Sequence, residues 1–335
     1  MILKIAVSLI PVFLLLAMLL YLDSIRLVSK TIMLISLLWG VVSAGLSFFL
    51  NTFLINYLRI SFETYSVFMA PFVEEILKLA LILVLIRKNR IGFMIDGAIY
   101  GFSIGAAFAF CENLFYLFHF ANAESNLMVW ITRGFGTAMM HSGTTAIFAI
   151  LCMSALTRQA RLTPGVLWGT LAAVLIHGIF NQFLVSPLLS TLIILVVIPV
   201  SISLIFQSNE KSIRNWLEME FDTEVSLLRM IKKGRFSETK AGLFLLSVKH
   251  HFPKEVVLDM YCFISLYLEL SMKAKSYIML KENDLEIAPD PEIPARLKEI
   301  KALEKAIGRA GYLAISPILR VSHKDLWKLS LLEKA

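Results

Sequence analysis

Four consecutive apolar segments in the middle of the chain carry residues that could perform acid–base or metal chemistry. The first, APFVEEILKLALILVLIRK, contains Glu74, Glu75 and Lys78, and each of the next three contains one key titratable residue. Carboxylates and imidazoles move protons and bind divalent metals. Because an ionisable group inside a membrane segment is costly, each one is a functional candidate. These residues are Glu74, Glu75, Glu112, His141 and His177.

The spacing of small residues predicts that these side chains point towards one another. Glu112 continues a stripe of small residues at helical spacing, Gly97, Gly101, Gly105 and Ala109. Such a stripe lets a neighbouring helix approach closely, so Glu112 should face the bundle. Tyr116 lies one turn after Glu112 on the same side of the helix, and Asn113 is the residue directly after Glu112. The other two stripes are Gly134, Ala138, His141, Thr145 and Gly169, Ala173, His177, Asn181.

Helix geometry also predicts a common depth. Counting about 1.5 Å per residue from the cytoplasmic ends places Glu75, Glu112, His141 and His177 roughly 17–25 Å up their helices. The purely structural alternatives are an intrahelical ion pair between Lys78 and one glutamate, and histidines that only pack. One lysine can neutralise only one carboxylate, so the presence of two adjacent glutamates favours a functional cluster.

The composition of the chain indicates that the helices carrying these residues lie in a lipid bilayer. The chain has 335 residues, of which 58% are hydrophobic and 17% charged. We therefore predict an all-α, polytopic transmembrane helical bundle of about seven helices in residues 1–207, followed by a helical cytoplasmic domain in 208–335. The predicted spans are 3–22, 31–52, 64–86, 95–119, 128–156, 164–184 and 187–207.

Basic residues predict the orientation. Alternate connections contain Arg26 and Lys30, then Arg87, Lys88 and Arg90, then Arg158 and Arg161. Since such residues favour the cytoplasmic side, we expect the N-terminus outside and the C-terminal domain in the cytoplasm. The same rule accounts for the net charge of +7, so we expect the lipid bilayer and no nucleic acid as a partner.

In its motifs the sequence resembles the PrsW family of intramembrane proteases, relatives of the CAAX prenyl endopeptidases and bacteriocin-immunity membrane proteins. The motifs, within about residues 65–185, are Glu74-Glu75-x-x-Lys78, Phe108-x-x-x-Glu112 with Asn113 and Tyr116, His141 in a glycine-rich helix, and His177-x-x-x-Asn181. The resemblance implies an intramembrane endopeptidase in a multi-pass cell membrane, of bacterial inner-membrane type. Its substrate would be a membrane-anchored protein such as an anti-sigma factor or another signalling protein.

We expect a catalytic group with three supporting residues. Glu75 would act as general base on a water held with His141, and Glu112 would share a proton. His177 and Asn181 would stabilise the oxyanion, while Lys78 would keep Glu74 ionised. The catalytic residues are thus Glu74, Glu75, Glu112, His141, His177 and Asn181, supported by Lys78, Asn113 and Tyr116.

Three alternatives stay open at this point. A divalent metal such as zinc could be bound by Glu75, Glu112, His141 and His177, although no HExxH motif is present and we favour metal-free hydrolysis. A proton-coupled transporter or channel could use the same acids and histidines. A scaffold whose C-terminal domain binds a cytoplasmic protein partner would need the polar cluster only to lock the bundle.

Overall fold

The chain folds into two compact, helical units. The computed structural model describes residues 2–21, 28–120, 126–159, 161–182, 184–282, 285 and 290–319, together with 327, 329 and 332. The units are Met1–Asn209 and Glu210–Ala335. All regular elements among the described residues are helices, which confirms the all-α prediction. Arg26, one of the residues behind the predicted orientation, lies outside the described ranges.

The first unit contains eight helices and the beginning of a ninth within the described ranges. They are α1 Ile2–Tyr21, α2 Lys30–Leu58, α3 Phe62–Phe68, α4 Ala70–Arg87, α5 Met94–Phe120, α6 Leu127–Ile131, α7 Ala138–Gln159, α8 Thr163–Gln182 and the first part of α9 Pro187–Lys232.

Five stretches of the described chain are long and apolar enough to cross a bilayer. They are Lys30–Leu58, Met94–Phe120, Leu127–Thr157, Thr163–Gln182 and Pro187–Ile205. The other two predicted spans correspond to α1, whose described apolar stretch Ile2–Leu14 is shorter, and to α4, whose 18 residues include four charged side chains. The protein is therefore a multi-pass membrane protein.

The third predicted span, 64–86, is not continuous, because the helix breaks at Met69 between α3 and α4. Pro71 lies at the start of α4, where its missing N–H costs little. In a continuous helix Pro71 would clash with the carbonyl four residues earlier. One of the carbonyls released by the break, that of Ser66, accepts a hydrogen bond from Asn181 Nδ2 at 3.0 Å.

Helix α5 is the most enclosed helix of the first unit, and its glycines set its distance from α7. A Cβ atom on Gly105 would lie 2.1 Å from the carbonyl oxygen of His141, and one on Gly101 would lie 2.6 Å from that of Thr145. The two backbones are thus in direct contact, as the stripe predicted. This contact fixes the height of His141 relative to Glu112.

A π-helical turn, Thr132–Thr137, joins α6 to α7. It contains Arg133, Gly134 and Gly136, and its wider winding shifts the side chains before α7 relative to a regular α-helix. Single π turns of this kind frequently occur at functional sites.

The second unit has its own hydrophobic core, formed by the end of α9 and by α10 Lys240–Val248, α11 Lys254–Glu282 and α12 Ile293–Leu319. Within it, Lys275 is fully buried and lies 3.1 Å from Glu224, which also accepts a hydrogen bond from Ser271. A cytoplasmic location and a protein partner for this unit stay predictions.

Candidate active site

A cavity of about 640 Å³ in the first unit holds most of the residues singled out by their type and spacing. Its walls come from α2, α3, α4, α5, α7, α8 and the π turn. Six predicted site residues line it: Glu74, Glu112, Tyr116, His141, His177 and Asn181. Glu75, Lys78 and Asn113 are instead fully buried behind its wall.

Glu75 is held by three side chains rather than by solvent. Its Oε1 atom lies 2.7 Å from Lys78 Nζ and 2.7 Å from His177 Nδ1, and it accepts a weaker hydrogen bond from Thr144 at 3.3 Å. Glu75 Oε2 is buried and has no hydrogen-bond partner among the residues that the structure describes. Lys78 therefore pairs directly with Glu75, and its expected role of keeping Glu74 ionised stays a prediction.

The contact with Glu75 orients His177. An ionised carboxylate only accepts hydrogen bonds, so His177 donates its Nδ1 hydrogen to Glu75. In the neutral imidazole the other ring nitrogen, Nε2, then carries the lone pair. This atom lies 3.8 Å from Glu74 Oε2. A carboxylate behind a histidine fixes the tautomer and raises the basicity of the nitrogen that faces the site.

Glu74 is the carboxylate of the pair that reaches the cavity, with 16% of its side chain exposed. Its Oε1 atom accepts a hydrogen bond from Asn51 Nδ2 at 3.0 Å, and Asn51 Oδ1 accepts one from Tyr65 at 2.8 Å. Residues of α2 and α3 thus orient Glu74. One carboxylate oxygen is fixed and the other faces His177.

His141 has partners on both ring nitrogens. Lys78 Nζ lies 3.0 Å from Nδ1, and Glu112 Oε2 lies 3.0 Å from Nε2. The lysine ammonium can only donate, so His141 Nε2 carries the hydrogen and donates it to Glu112. Arg133 donates to the second oxygen of Glu112 at 2.9 Å.

These contacts form one continuous chain of polar groups across five elements, the π turn, α5, α7, α4 and α8. It runs from Arg133 through Glu112, His141, Lys78, Glu75 and His177 to Glu74. The prediction that these side chains meet is therefore confirmed by direct contact, whereas their depth in the membrane stays a prediction. The two end members of this polar chain, Arg133 and Glu74, line the same cavity.

Three further residues of the site were not selected from the sequence. Asn51 and Tyr65 contact Glu74 from helices that carry no charged motif, so no sequence signal pointed to them. Arg133 did have a signal, because it falls inside the predicted span 128–156, where any ionisable residue is a candidate.

The donor types suit a divalent metal ion. Glu74, His141 and His177 each offer one ligand atom, and these atoms lie within 4.8 Å of one another. Two imidazoles and a carboxylate are a common catalytic zinc set. The free Nε2 of His177 fits this role directly, whereas His141 would have to exchange its hydrogen bonds with Glu112 and Lys78. Glu75 and Glu112 were both expected among the ligands and lie outside this set. Glu75 is engaged by Lys78 and His177, and Glu112 is engaged by Arg133 and His141.

Comparison with known proteins identifies one family. The sequence model of the PrsW family intramembrane metalloproteases matches residues 28–205, more than half of the chain. No curated protein and no solved structure matches the chain.

Proposed function

This chain belongs to the PrsW family of intramembrane metalloproteases, and we propose that it hydrolyses a peptide bond in a membrane-anchored protein near the extracytoplasmic edge of the membrane. The observation that carries this proposal is the pair formed by Glu74 and His177. Both face the cavity, and Glu75 holds the second nitrogen of His177 from behind.

In the proposed reaction, Glu74 is the general base in place of the more deeply buried Glu75. A water molecule on the cavity side of Glu74 Oε2 and His177 Nε2, in contact with both, gives its proton to Glu74 as its oxygen attacks the scissile carbonyl carbon. The tetrahedral intermediate then collapses, the C–N bond breaks, and the proton passes to the leaving amine. Glu75 and Lys78 keep His177 in the required orientation throughout.

Asn181 is the proposed donor to the oxyanion. One of its amide hydrogens binds the carbonyl of Ser66, and its side chain lines the cavity. The second amide hydrogen is available for the developing charge, a contribution worth about 3 kcal/mol in known enzymes. Asn181 thereby also holds α3 beside the cavity.

The residues that would hold a metal are Glu74, His141 and His177. A divalent ion such as zinc would supply Lewis-acid polarisation of the scissile carbonyl and of water there. With such an ion bound, Glu74 would be a ligand instead of the general base, whereas Glu75 would still orient His177 and Arg133 would still bind Glu112.

The proposed side of cleavage follows from where the site lies along its helices. Glu74 lies four residues after the start of α4 at Ala70, and His177 lies five residues before the end of α8 at Gln182. The opposite ends of these helices adjoin Lys88, Arg90 and Arg161. Since basic residues favour the cytoplasm, the site lies near the outer surface of the cell membrane, with the N-terminus outside and the C-terminal unit in the cytoplasm.

The apolar lining of the cavity favours a membrane-anchored protein as the substrate. Apolar side chains of α2 and α5, including Phe48, Phe49 and Phe115, face the catalytic residues across the cavity. They would pack against the apolar side chains of a substrate segment at the membrane edge. An anti-sigma factor or another membrane-anchored signalling protein is the substrate class that fits the family.

Within the described part of the protein, the polar chain gives a proton-coupled transporter no route that leads away from the cavity. A relay between the two sides would need groups that lead away from the cavity, whereas the chain described here begins and ends in it. Among the residues that the structure describes, this arrangement favours hydrolysis in one enclosed site.

The proposal is tested by incubating the purified full-length protein in liposomes with a panel of tagged single-pass membrane proteins. We expect a cleaved product from the wild type and from His119→Gln, which changes an exposed histidine outside the cavity. Glu74→Gln and His177→Ala should give none. Absence of product from every panel member with the wild type, or equal product from Glu74→Gln, would reject the proposal.

A further inference from the structure

Arg133 is held tightly at the wall of the catalytic cavity. Its guanidinium carbon lies 3.4 Å from the centre of the Tyr116 ring, and its Nη2 atom donates to Glu112 Oε1 at 2.9 Å. Only 17% of the side chain is exposed. Stacking on a ring and bonding to a carboxylate together leave the guanidinium little freedom, so its position is well determined.

The position of Arg133 determines the position of Glu112. One oxygen of Glu112 binds Arg133 and the other binds the Nε2 hydrogen of His141. If the guanidinium were absent, Glu112 would be a half-buried carboxylate with no cation bound to it, and it would turn towards the water in the cavity. His141 would then lose the acceptor that holds its Nε2 hydrogen in place.

The backbone of Arg133 is fixed by the π turn and by α1. Asn113 Nδ2 donates to the carbonyl of Arg133 at 3.2 Å and to that of Ser8 in α1 at 3.0 Å. Next along the turn, a Cβ atom on Gly134 would lie 1.9 Å from the carbonyl oxygen of Val7. Helix α1 therefore packs directly against the turn that carries Arg133.

Helix α1 lies outside the residues 28–205 that match the family. The contacts with Asn113 and Gly134 nevertheless make it part of the support of the site. The sequence predicted α1 only as a membrane span. Its contacts with the π turn give it a specific role in positioning the catalytic groups.

We infer that Arg133 is a positioning residue of the active site, held by the π turn and α1, and that it acts by fixing Glu112 as the hydrogen-bond acceptor of His141. This inference rests on the proposed function for its effect on turnover. Its structural part, the orientation of His141, can be measured without any substrate.

The first test is nuclear magnetic resonance of histidine side chains in the full-length, ¹⁵N-histidine-labelled protein after treatment with a chelator. The His141 signals are assigned by their loss in His141→Gln. We expect the wild type to show the Nε2–H tautomer of His141 with a strongly hydrogen-bonded proton. Arg133→Ala should shift this proton or exchange it with water, whereas the control Arg59→Ala should leave it in place.

The same spectra separate a positioning effect from misfolding. In Arg133→Ala the His177 signals should keep their wild-type positions, because Glu75 still holds that ring. An unchanged His141 signal in Arg133→Ala would overturn the inference. Equal shifts of His141 and His177 would also overturn it, since they would indicate a general loss of structure.

The second test uses cleavage of the panel substrate. Arg133→Ala should lower kcat by about 100-fold with little change in KM, the size of effect that small misplacement of catalytic groups produces. Arg133→Lys should retain part of kcat, and added guanidinium ion should partly restore Arg133→Ala. Full activity of Arg133→Ala, or a change in KM alone, would contradict the inference. If the wild type cleaves nothing, the proposed function fails and the histidine spectra alone decide the role of Arg133.

Discussion

His177 Nδ1 and Glu75 Oε1 lie 2.7 Å apart, and neither side chain is more than 2% exposed. Lys78, the other group bound to Glu75 Oε1, is fully buried as well. Glu75 therefore has two functions that can be measured separately. It neutralises a buried lysine, which concerns stability, and it orients a histidine that faces the cavity, which concerns activity.

Glu75→Gln should lower both stability and activity. The substitution leaves the Lys78 ammonium without a counter-charge, and breaking a buried ion pair typically costs about 3–5 kcal/mol. Thermal unfolding in detergent measures this loss. The double variant Glu75→Gln/Lys78→Met should recover most of the stability while cleavage stays reduced by roughly 10–100-fold, because the carboxylate that orients His177 is still missing. Recovery of activity together with stability would show that Glu75 acts only as a counter-ion.

Metal content should depend on the residues that face the cavity. We expect about one divalent ion per chain in the purified protein, removed by a chelator, because two imidazoles and a carboxylate lie close together. Elemental analysis should show the ion lost in Glu74→Gln and His177→Gln and retained in His119→Gln. A fully active protein without metal would instead restrict the site to metal-free hydrolysis.

Modification of Cys111 should block the active site. Cys111 lines the cavity next to Glu112, whereas Cys152 is buried and Cys262 lies exposed in the second unit. N-ethylmaleimide should therefore inactivate the wild type by filling the cavity. Cys111→Ser should stay active after treatment, and Cys262→Ser should be as sensitive as the wild type. Mass spectrometry of the labelled protein identifies the modified residue, and equal inhibition of Cys111→Ser would contradict the assignment.

Gly105→Ala should destabilise the first unit, although alanine is the better helix former. The new methyl group would lie 2.1 Å from the carbonyl oxygen of His141, so α5 and α7 would have to move apart. Overpacking of this kind costs about 1–3 kcal/mol.

Gly45→Ala is the matched control for Gly105→Ala, because nothing lies within 4 Å of a Cβ atom at Gly45 in α2. Its thermal unfolding temperature should be equal to or above that of the wild type. A stable Gly105→Ala variant would mean that the α5–α7 contact is looser than described.

Much of the site could be predicted because helical periodicity relates sequence directly to position on a helix. The stripes that contain Glu112, His141 and His177 indicated which faces of α5, α7 and α8 point inward. The contacts of Gly101 and Gly105 confirm this for α5 and α7. Depth along each helix follows from its length, so the common level of these residues was predictable as well. The all-α class and the membrane as solvent followed from composition alone.

Only the tertiary structure decided how the groups pair. Glu74 and Glu75 are adjacent and about 100° apart around the same helix, so their sequence positions do not say which one reaches the cavity. By helical spacing Lys78 could reach either glutamate. Glu75 is the one that meets His177 of α8, a helix distant in sequence. Arg133 entered the site because a π turn and α1 hold it there. Sequence spacing determines the direction of a side chain around its own helix, whereas its partner depends on neighbouring helices that are distant in the chain.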